Sequence, residues 1–143
     1  MSAVRARRGA WYTRAMDESL TRVLNALEGI APTSLLWHKG LLNPGGPHRR
    51  LKGIHYPISI GEDECLVFGK IVENFHPATC YIIGNAFGLS STYIADVMKR
   101  HGGQRVITLD NQSEGEGERT AAIAQKLTDT LGLGDIQIGR AHV

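Results

Sequence analysis

The sequence predicts an α/β fold, the front part of a doubly wound parallel sheet behind an N-terminal helical extension. Three observations carry this expectation. Short, β-prone apolar runs recur at residues 79–83, 105–110 and from 135 onward, with segments of helical period between them. Two glycines, Gly84 and Gly88, bracket a small-residue turn directly after the first run. An acid, Asp110, closes the second run. Strand, glycine turn, helix, strand, acid, helix and strand is the opening order of a doubly wound parallel sheet.

The elements follow one by one. Met16, Leu20, Val23, Leu24 and Leu27 share one helical face, with Gly29 placed to end the helix and Pro32 beyond it. Residues 41–57, centred on Pro44-Gly45-Gly46-Pro47, read as loop or linker. They divide the chain into a basic arm, helix and Pro/Gly loop over residues 1–58 and a sheet domain over 59–143. Ser59-Ile60-Gly61-Glu62 has capping-box spacing. Behind it Leu66, Phe68, Ile71, Val72 and Phe75 form a helical stripe that stops before Pro77. Thr79-Cys80-Tyr81-Ile82-Ile83 then has the continuous apolar character of a buried parallel strand.

After the glycine turn, Tyr93, Ile94, Val97 and Met98 supply another helical face that ends at His101-Gly102-Gly103. Residues 105–110 read as the second strand. Residues 117–131 read as a helix with Ala121, Ala122, Ile123, Ala124 and Leu127 turned inward. A third strand is expected to begin near Asp135-Ile136-Gln137-Ile138. No internal repeat is visible.

Composition bounds the function. The 143 residues are 42% apolar and 21% charged, a globular balance. No apolar run approaches the ~18 residues of a membrane span, and no signal-type apolar segment stands near the start. Cys65 and Cys80 are too few for a disulfide framework and form no CxxC pair. A cytoplasmic protein with reduced thiols, and no membrane partner, is therefore expected.

Charge is uneven. Residues 1–61 hold nine Lys and Arg against three Asp and Glu, whereas residues 62–143 hold seven against eleven. The basic half suits either contact with an anionic partner or packing against the acidic half, and the second is the expectation. Nucleic acid is not expected as a partner, because the interleaved aromatics of a single-strand platform are missing. Arg5, Arg7, Arg8 and Arg14 resemble a transit-peptide composition, which Asp17 and Glu18 counter.

The chemistry gathers in two segments, Gly84-Asn85-Ala86-Phe87-Gly88-Leu89-Ser90-Ser91 and Asp110-Asn111. Glycines let backbone approach a ligand closely and accept positive φ. Ser90 is the expected N-cap of the following helix, whose free N–H groups favour an anionic ligand group. An acid at the end of the second strand can accept hydrogen bonds from both ribose hydroxyls of an adenosine-containing ligand. In doubly wound sheets ligands bind where these two points converge.

Residues 81–95, Tyr-Ile-Ile-Gly-Asn-Ala-Phe-Gly-Leu-Ser-Ser-Thr-Tyr-Ile-Ala, resemble the first motif of class I S-adenosylmethionine-dependent methyltransferases, closest to their O-methyltransferase-like branches. Asp110 after Arg-Val-Ile-Thr-Leu is similar to that family's ribose-binding acid. The resemblance covers residues 59–143 and implies a Rossmann-like fold with S-adenosyl-L-methionine as cofactor. It further implies methyl transfer to a small-molecule acceptor through O-methylation. It assigns the stretch from Gly84 to Gly88 (with Asn85, Ala86 and Phe87) to the methionine part of the cofactor. Ser90 and Ser91 would then hold its carboxylate, and Asp110, with Asn111 beside it, would bind its ribose. Two positions depart from the family pattern. Ile82 stands where the family usually has an acid, and Gly139-Arg140-Ala141 where it often has Gly-Asp-Ala.

Two other readings compete with this one. A short-chain dehydrogenase also uses a glycine turn and a following acid, but no Tyr-x-x-x-Lys pair exists here: Tyr12, Tyr56, Tyr81 and Tyr93 are followed four positions on by Met16, Ile60, Asn85 and Val97. A non-catalytic interaction module would keep the scaffold and offer an open sheet edge to another chain. By resemblance the substrate-facing half would lie beyond Val143, so a sheet truncated after about three strands is expected, completed by a partner chain or a homo-oligomer. No catalytic base is assigned, because His76 and His101 read as helix-end residues. No metal site is expected, since His48 and His55 lack ligands at suitable spacing.

Overall fold

The computed structural model describes residues 14–30, 62–85, 87–110 and 117–141. In chain order these form α1 (Arg14–Ile30), α2 (Glu62–Phe75), β1 (Thr79–Ile83), α3 (Leu89–Arg100), β2 (Arg105–Leu109), α4 (Gly117–Thr130) and β3 (Gln137–Ala141). The result is a mixed α/β arrangement around a parallel sheet in the order β1-β2-β3. The Ser59 capping box, the linker and the side chain of Met16 lie outside the described residues.

β1 and β2 pair in continuous register from Thr79 opposite Arg105 to Ile83 opposite Leu109. The β2–β3 ladder skips a residue after Ile107, so Thr108 faces Arg140 and Gly139 is the extra residue of a bulge. Alternation then sorts the side chains. Val106 and Thr108 are buried and Cys80 and Ile82 are partly buried against the core. Tyr81 and Ile83, with Ile107 and Leu109 opposite them, point to the other face.

Helix α3 is the central element. It packs on α1, α2, α4 and the sheet, and residues 91–98 are buried without a break. That is why Tyr93, Ile94, Val97 and Met98 are joined inside by Leu89 and Ala95. Leu20, Val23, Leu24 and Leu27 of α1 are buried beside them, as the sequence predicts. Leu127, Leu131, Leu133 and Ile136 close the core from α4 and the turn after it.

Four expectations are corrected. α1 runs past Gly29 to Ile30. On α4, Ala122 is exposed whereas Ala121, Ile123, Ala124 and Leu127 are buried, because a run of four apolar residues exceeds the width of one helical face. β3 begins at Gln137, inside the expected stretch from Asp135 to Ile138, because residues 134–136 are spent on the turn. The inward face of α2 is Cys65, Leu66, Gly69 and Val72, and Phe68, Ile71 and Phe75 project outward with Val67. Last, β1 is not buried on both faces: Tyr81 is 68% and Ile83 87% exposed.

Candidate functional site

The carboxyl ends of β1 and β2 meet in a single hydrogen-bonded constellation. Gly84 leaves β1 with φ 84 and donates its N–H to Leu109 O at 2.7 Å, extending the ladder by one residue. Asn85 then donates its backbone N–H to Asp110 Oδ2 at 2.6 Å. The glycine turn and the acid, 25 positions apart in the chain, are therefore brought into direct contact. Asp110 is half-buried.

The turn is bonded to itself as well. Gly88 N–H reaches Asn85 O at 2.7 Å. Ser91 Oγ donates to Asn85 Oδ1 at 2.6 Å, with both residues buried. Thr92 Oγ1 donates back to Gly88 O at 2.5 Å. Asn85 is thus the hub: its N–H, C=O and side-chain oxygen go to three different partners. Sequence reasoning placed Asn85 in the site as a small residue, without this bracing role.

The two glycines do different work. Among the described residues, a Cβ on Gly84 would meet nothing within 4 Å, so no described side chain closes the outer side of the turn at that point. A Cβ on Gly88, at φ 83, would stand 3.0 Å from Ala124 Cβ. Gly88 lets the turn sit against α4 and also caps α3 with no side-chain hydrogen bond. The expected Ser90 cap is corrected accordingly. The capping position needs the left-handed backbone that glycine adopts freely, so Ser90 falls inside the first helical turn.

Seven of the nine predicted site residues fall among those the structure describes. Gly84, Asn85, Gly88 and Asp110 are drawn together, and Ser90 is half-buried at the start of α3. Phe87 is turned into the core. Ser91 is fully buried with its hydroxyl committed to Asn85. Ala86 and Asn111 lie outside the described residues. Ile82 packs against the core beside Cys80, whose thiol burial pushes up.

His76 and His101 stack with ring centroids 5.1 Å apart. They follow α2 and α3 and precede β1 and β2, so they stand at the amino ends of the strands. The glycine turn is a strand's length away, roughly 16 Å for five residues. Neither histidine belongs to the constellation.

Sequence reasoning passed over one charged cluster. Asp96 interrupts the apolar run of α3 and is 3% exposed, with Arg22 Nη1 at 2.7 Å and Arg100 Nη2 at 3.4 Å. The signal was present as a lone acid inside Tyr93-Ile94-Ala95-Asp96-Val97-Met98. Buried carboxylates are rare unless paired.

Among the described residues no helix is long and apolar enough to cross a membrane, and no three potential metal ligands cluster. No family model matches the sequence, and no curated protein matches it either.

Proposed function

We propose that this chain carries the cofactor-binding part of an S-adenosyl-L-methionine-dependent methyltransferase with a Rossmann-like sheet. One observation carries the reading: the 2.6 Å hydrogen bond from Asn85 N–H to Asp110 Oδ2. It joins the glycine turn after β1 to the acid after β2, the two points where a doubly wound sheet receives an adenosine-containing ligand. The parallel order β1-β2-β3, with a helix in each crossover, supports the same reading.

The residues fit such a group in part. Gly84 offers an open approach where a side chain would protrude, and Asp110 offers a half-buried carboxylate for ribose hydroxyls. Ser90, near the amino end of α3, would hold the carboxylate of the methionine portion. Phe87 and Ser91 act from behind, Phe87 by packing and Ser91 by fixing Asn85. When bound, the cofactor supplies an electrophilic methyl group on a sulfonium centre. The chain's own contribution is alignment, which is the larger part of what methyl transfer needs. The acceptor is read as a small molecule and the transfer as O-methylation, in a cytoplasmic setting.

Titration calorimetry with S-adenosylhomocysteine tests the proposal. Saturable binding is expected, weakened about tenfold or more by Asp110→Ala through the lost charge-assisted hydrogen bonds. Folded wild-type protein that gives no heat at millimolar ligand would end the proposal.

A further inference from the structure

The geometry points to Ser91 as a positioning residue, a buried hydroxyl that acts through Asn85 and Asp110 and sets how strongly the site prefers a ribose to a deoxyribose. The inference deepens the proposed cofactor reading and rests on it for the identity of the ligand. It gives Ser91 a different part from the carboxylate contact that the resemblance assigns.

The line of contacts starts in the core. Ser91 lies in the first turn of α3 and is 0% exposed. Its Oγ stands 2.6 Å from Asn85 Oδ1 and 3.2 Å from Gly88 O. A hydroxyl has one proton to give, and the shorter contact has the length of a good O–H···O bond. The proton therefore goes to Asn85. Asn85 in turn donates its backbone N–H to Asp110 Oδ2 at 2.6 Å, and a bond that ends on a carboxylate is one of the strong ones. α3, the turn after β1 and the residue after β2 are thus linked from the core to a half-buried acid.

Backbone alone holds Asn85 weakly. The ladder reaches as far as Gly84, whose N–H bonds Leu109 O at 2.7 Å. Gly84 itself sits at φ 84, in a region glycine crosses with little resistance, and no described side chain would brace a Cβ there. The other tie from the helix start is Gly88 N–H on Asn85 O at 2.7 Å, made by a second glycine at φ 83. Without the Ser91 hydroxyl, Asn85 Oδ1 is a buried acceptor deprived of its donor. That loss drives the side chain to a new orientation and tilts the peptide between Gly84 and Asn85 away from Asp110.

The consequence falls on the ligand. An ionised carboxylate has two oxygens and about four acceptor positions, so Oδ2 can take a ligand hydroxyl beside the Asn85 N–H. Held in one plane, the group meets both neighbouring hydroxyls of a ribose at once. Free to turn, it follows one of them and gains little from the second. A site built to bond a hydroxyl rejects the analogue that lacks it, and here the fixed plane of Asp110 is what builds it.

Two measurements test this. In the free protein, the nitrogen–proton NMR spectrum reports the Asn85 amide, whose short bond to a carboxylate moves its proton resonance downfield. Ser91→Ala should return it upfield. Thr128→Ala, which removes a buried hydroxyl bonded within α4, should not. Calorimetry with S-adenosylhomocysteine and its 2′-deoxy counterpart then reads the preference. The wild type should favour the ribose ligand by about tenfold or more. Ser91→Ala and Asn85→Ala should each cut that ratio to within about threefold of unity, and the double variant should fall no lower, since both act through one link. Ser91→Cys keeps the packing with a weaker donor and should lie between, which preserves the comparison if alanine destabilises the turn. An Asn85 amide unmoved by Ser91→Ala overturns the role of Ser91. So does a ribose preference that is absent from the wild type or intact in Ser91→Ala and Ser91→Cys, and in each of these cases cofactor binding still stands. Folded wild-type protein that binds neither ligand overturns both readings.

Discussion

Arg22 on α1 reaches across the helical layer to Asp96 on α3, Nη1 to Oδ1 at 2.7 Å, and its second nitrogen donates to Leu131 O at 2.8 Å. One guanidinium thus ties together α1, α3 and the end of α4, which is the planar, two-pronged use arginine suits best. Asp96 is buried while Arg22 is half-exposed, so the two ends of the pair are not equal. Removing Arg22 leaves a buried carboxylate with only Arg100 at 3.4 Å. Arg22→Met is expected to destabilise the fold by about 1–3 kcal/mol, the lower part of the range for a broken buried pair because water still reaches the arginine. Urea unfolding of Arg22→Met, Asp96→Asn and the double variant measures it. The double variant should be less damaged than the two single losses combined, and simple additivity would remove the pair from the account.

Gly84 and Gly88 share almost the same backbone angle, φ 84 and 83, and differ in what surrounds them. Alanine at Gly84 meets none of the described residues, so its cost is the left-handed conformation, about 1 kcal/mol. Alanine at Gly88 pays that strain and also presses on Ala124 Cβ at 3.0 Å, for a total of about 2–3 kcal/mol. Under the proposed function the ranking reverses for binding. Gly84→Ala places a methyl group on the open side of the turn and lowers S-adenosylhomocysteine affinity more than Gly88→Ala does. Thermal melts and calorimetry on the same two proteins separate the effects. Equal rankings in both measurements would contradict this division of roles.

The sheet was legible in the sequence and the helix faces were less so. β1 matches residue for residue, because a proline before it and a glycine after it mark both ends of a β-prone run. The contact between the turn and Asp110 was also legible, since parallel pairing alone brings the ends of β1 and β2 together. On α2 the pattern could not choose. Cys65, Leu66, Val67, Phe68, Ile71 and Val72 are apolar nearly all the way round, and hydrophobic period cannot say which side packs. Packing against α3 and α1 selected the side with Cys65 and Gly69 and left the larger Phe68 and Phe75 outside. The resemblance alone assigns Ser91 to the ligand, as one of two serines at the start of the helix. Only the fold shows that Asn85 needs it as a buried donor.

The two cysteines give a direct check on burial. Cys65 is fully buried in α2, and Cys80 faces the helical layer from β1. Burial raises the Cys80 pKa above that of an ordinary thiol, so less thiolate is present at any given pH. Because the thiolate is the reacting form, iodoacetamide at pH 8 should modify Cys80 several-fold more slowly than a free thiol. Cys65 should not react until the protein unfolds. Both should react at the ordinary rate in concentrated urea. Rapid loss of the Cys65 thiol from native protein would mean that α2 opens readily from α3.

Lys99, in the last turn of α3, donates to Asp135 Oδ1 and to Gly132 O, each at 3.1 Å. The hydrogen bond from Lys99 holds the Asp135 carboxyl below the usual aspartate range. A lowered carboxylate pKa stabilises the fold above the unfolded value, near pH 4, and that contribution disappears as the pH falls through the folded value. Lys99→Met removes it. The difference in stability between wild type and Lys99→Met should therefore be larger at pH 7 than in acid below the lowered folded value, where Asp135 is protonated in both proteins. A remainder should persist in acid, since the bond to Gly132 O and the favourable cation at a helix C-terminus do not titrate there. Added salt should shrink the pH-dependent part, because the pair lies in solvent. Guanidinium chloride would mask that effect, so urea is the denaturant to use. A difference that stays constant as the pH falls from 7 until the carboxylates are protonated would exclude Asp135 as the partner that matters.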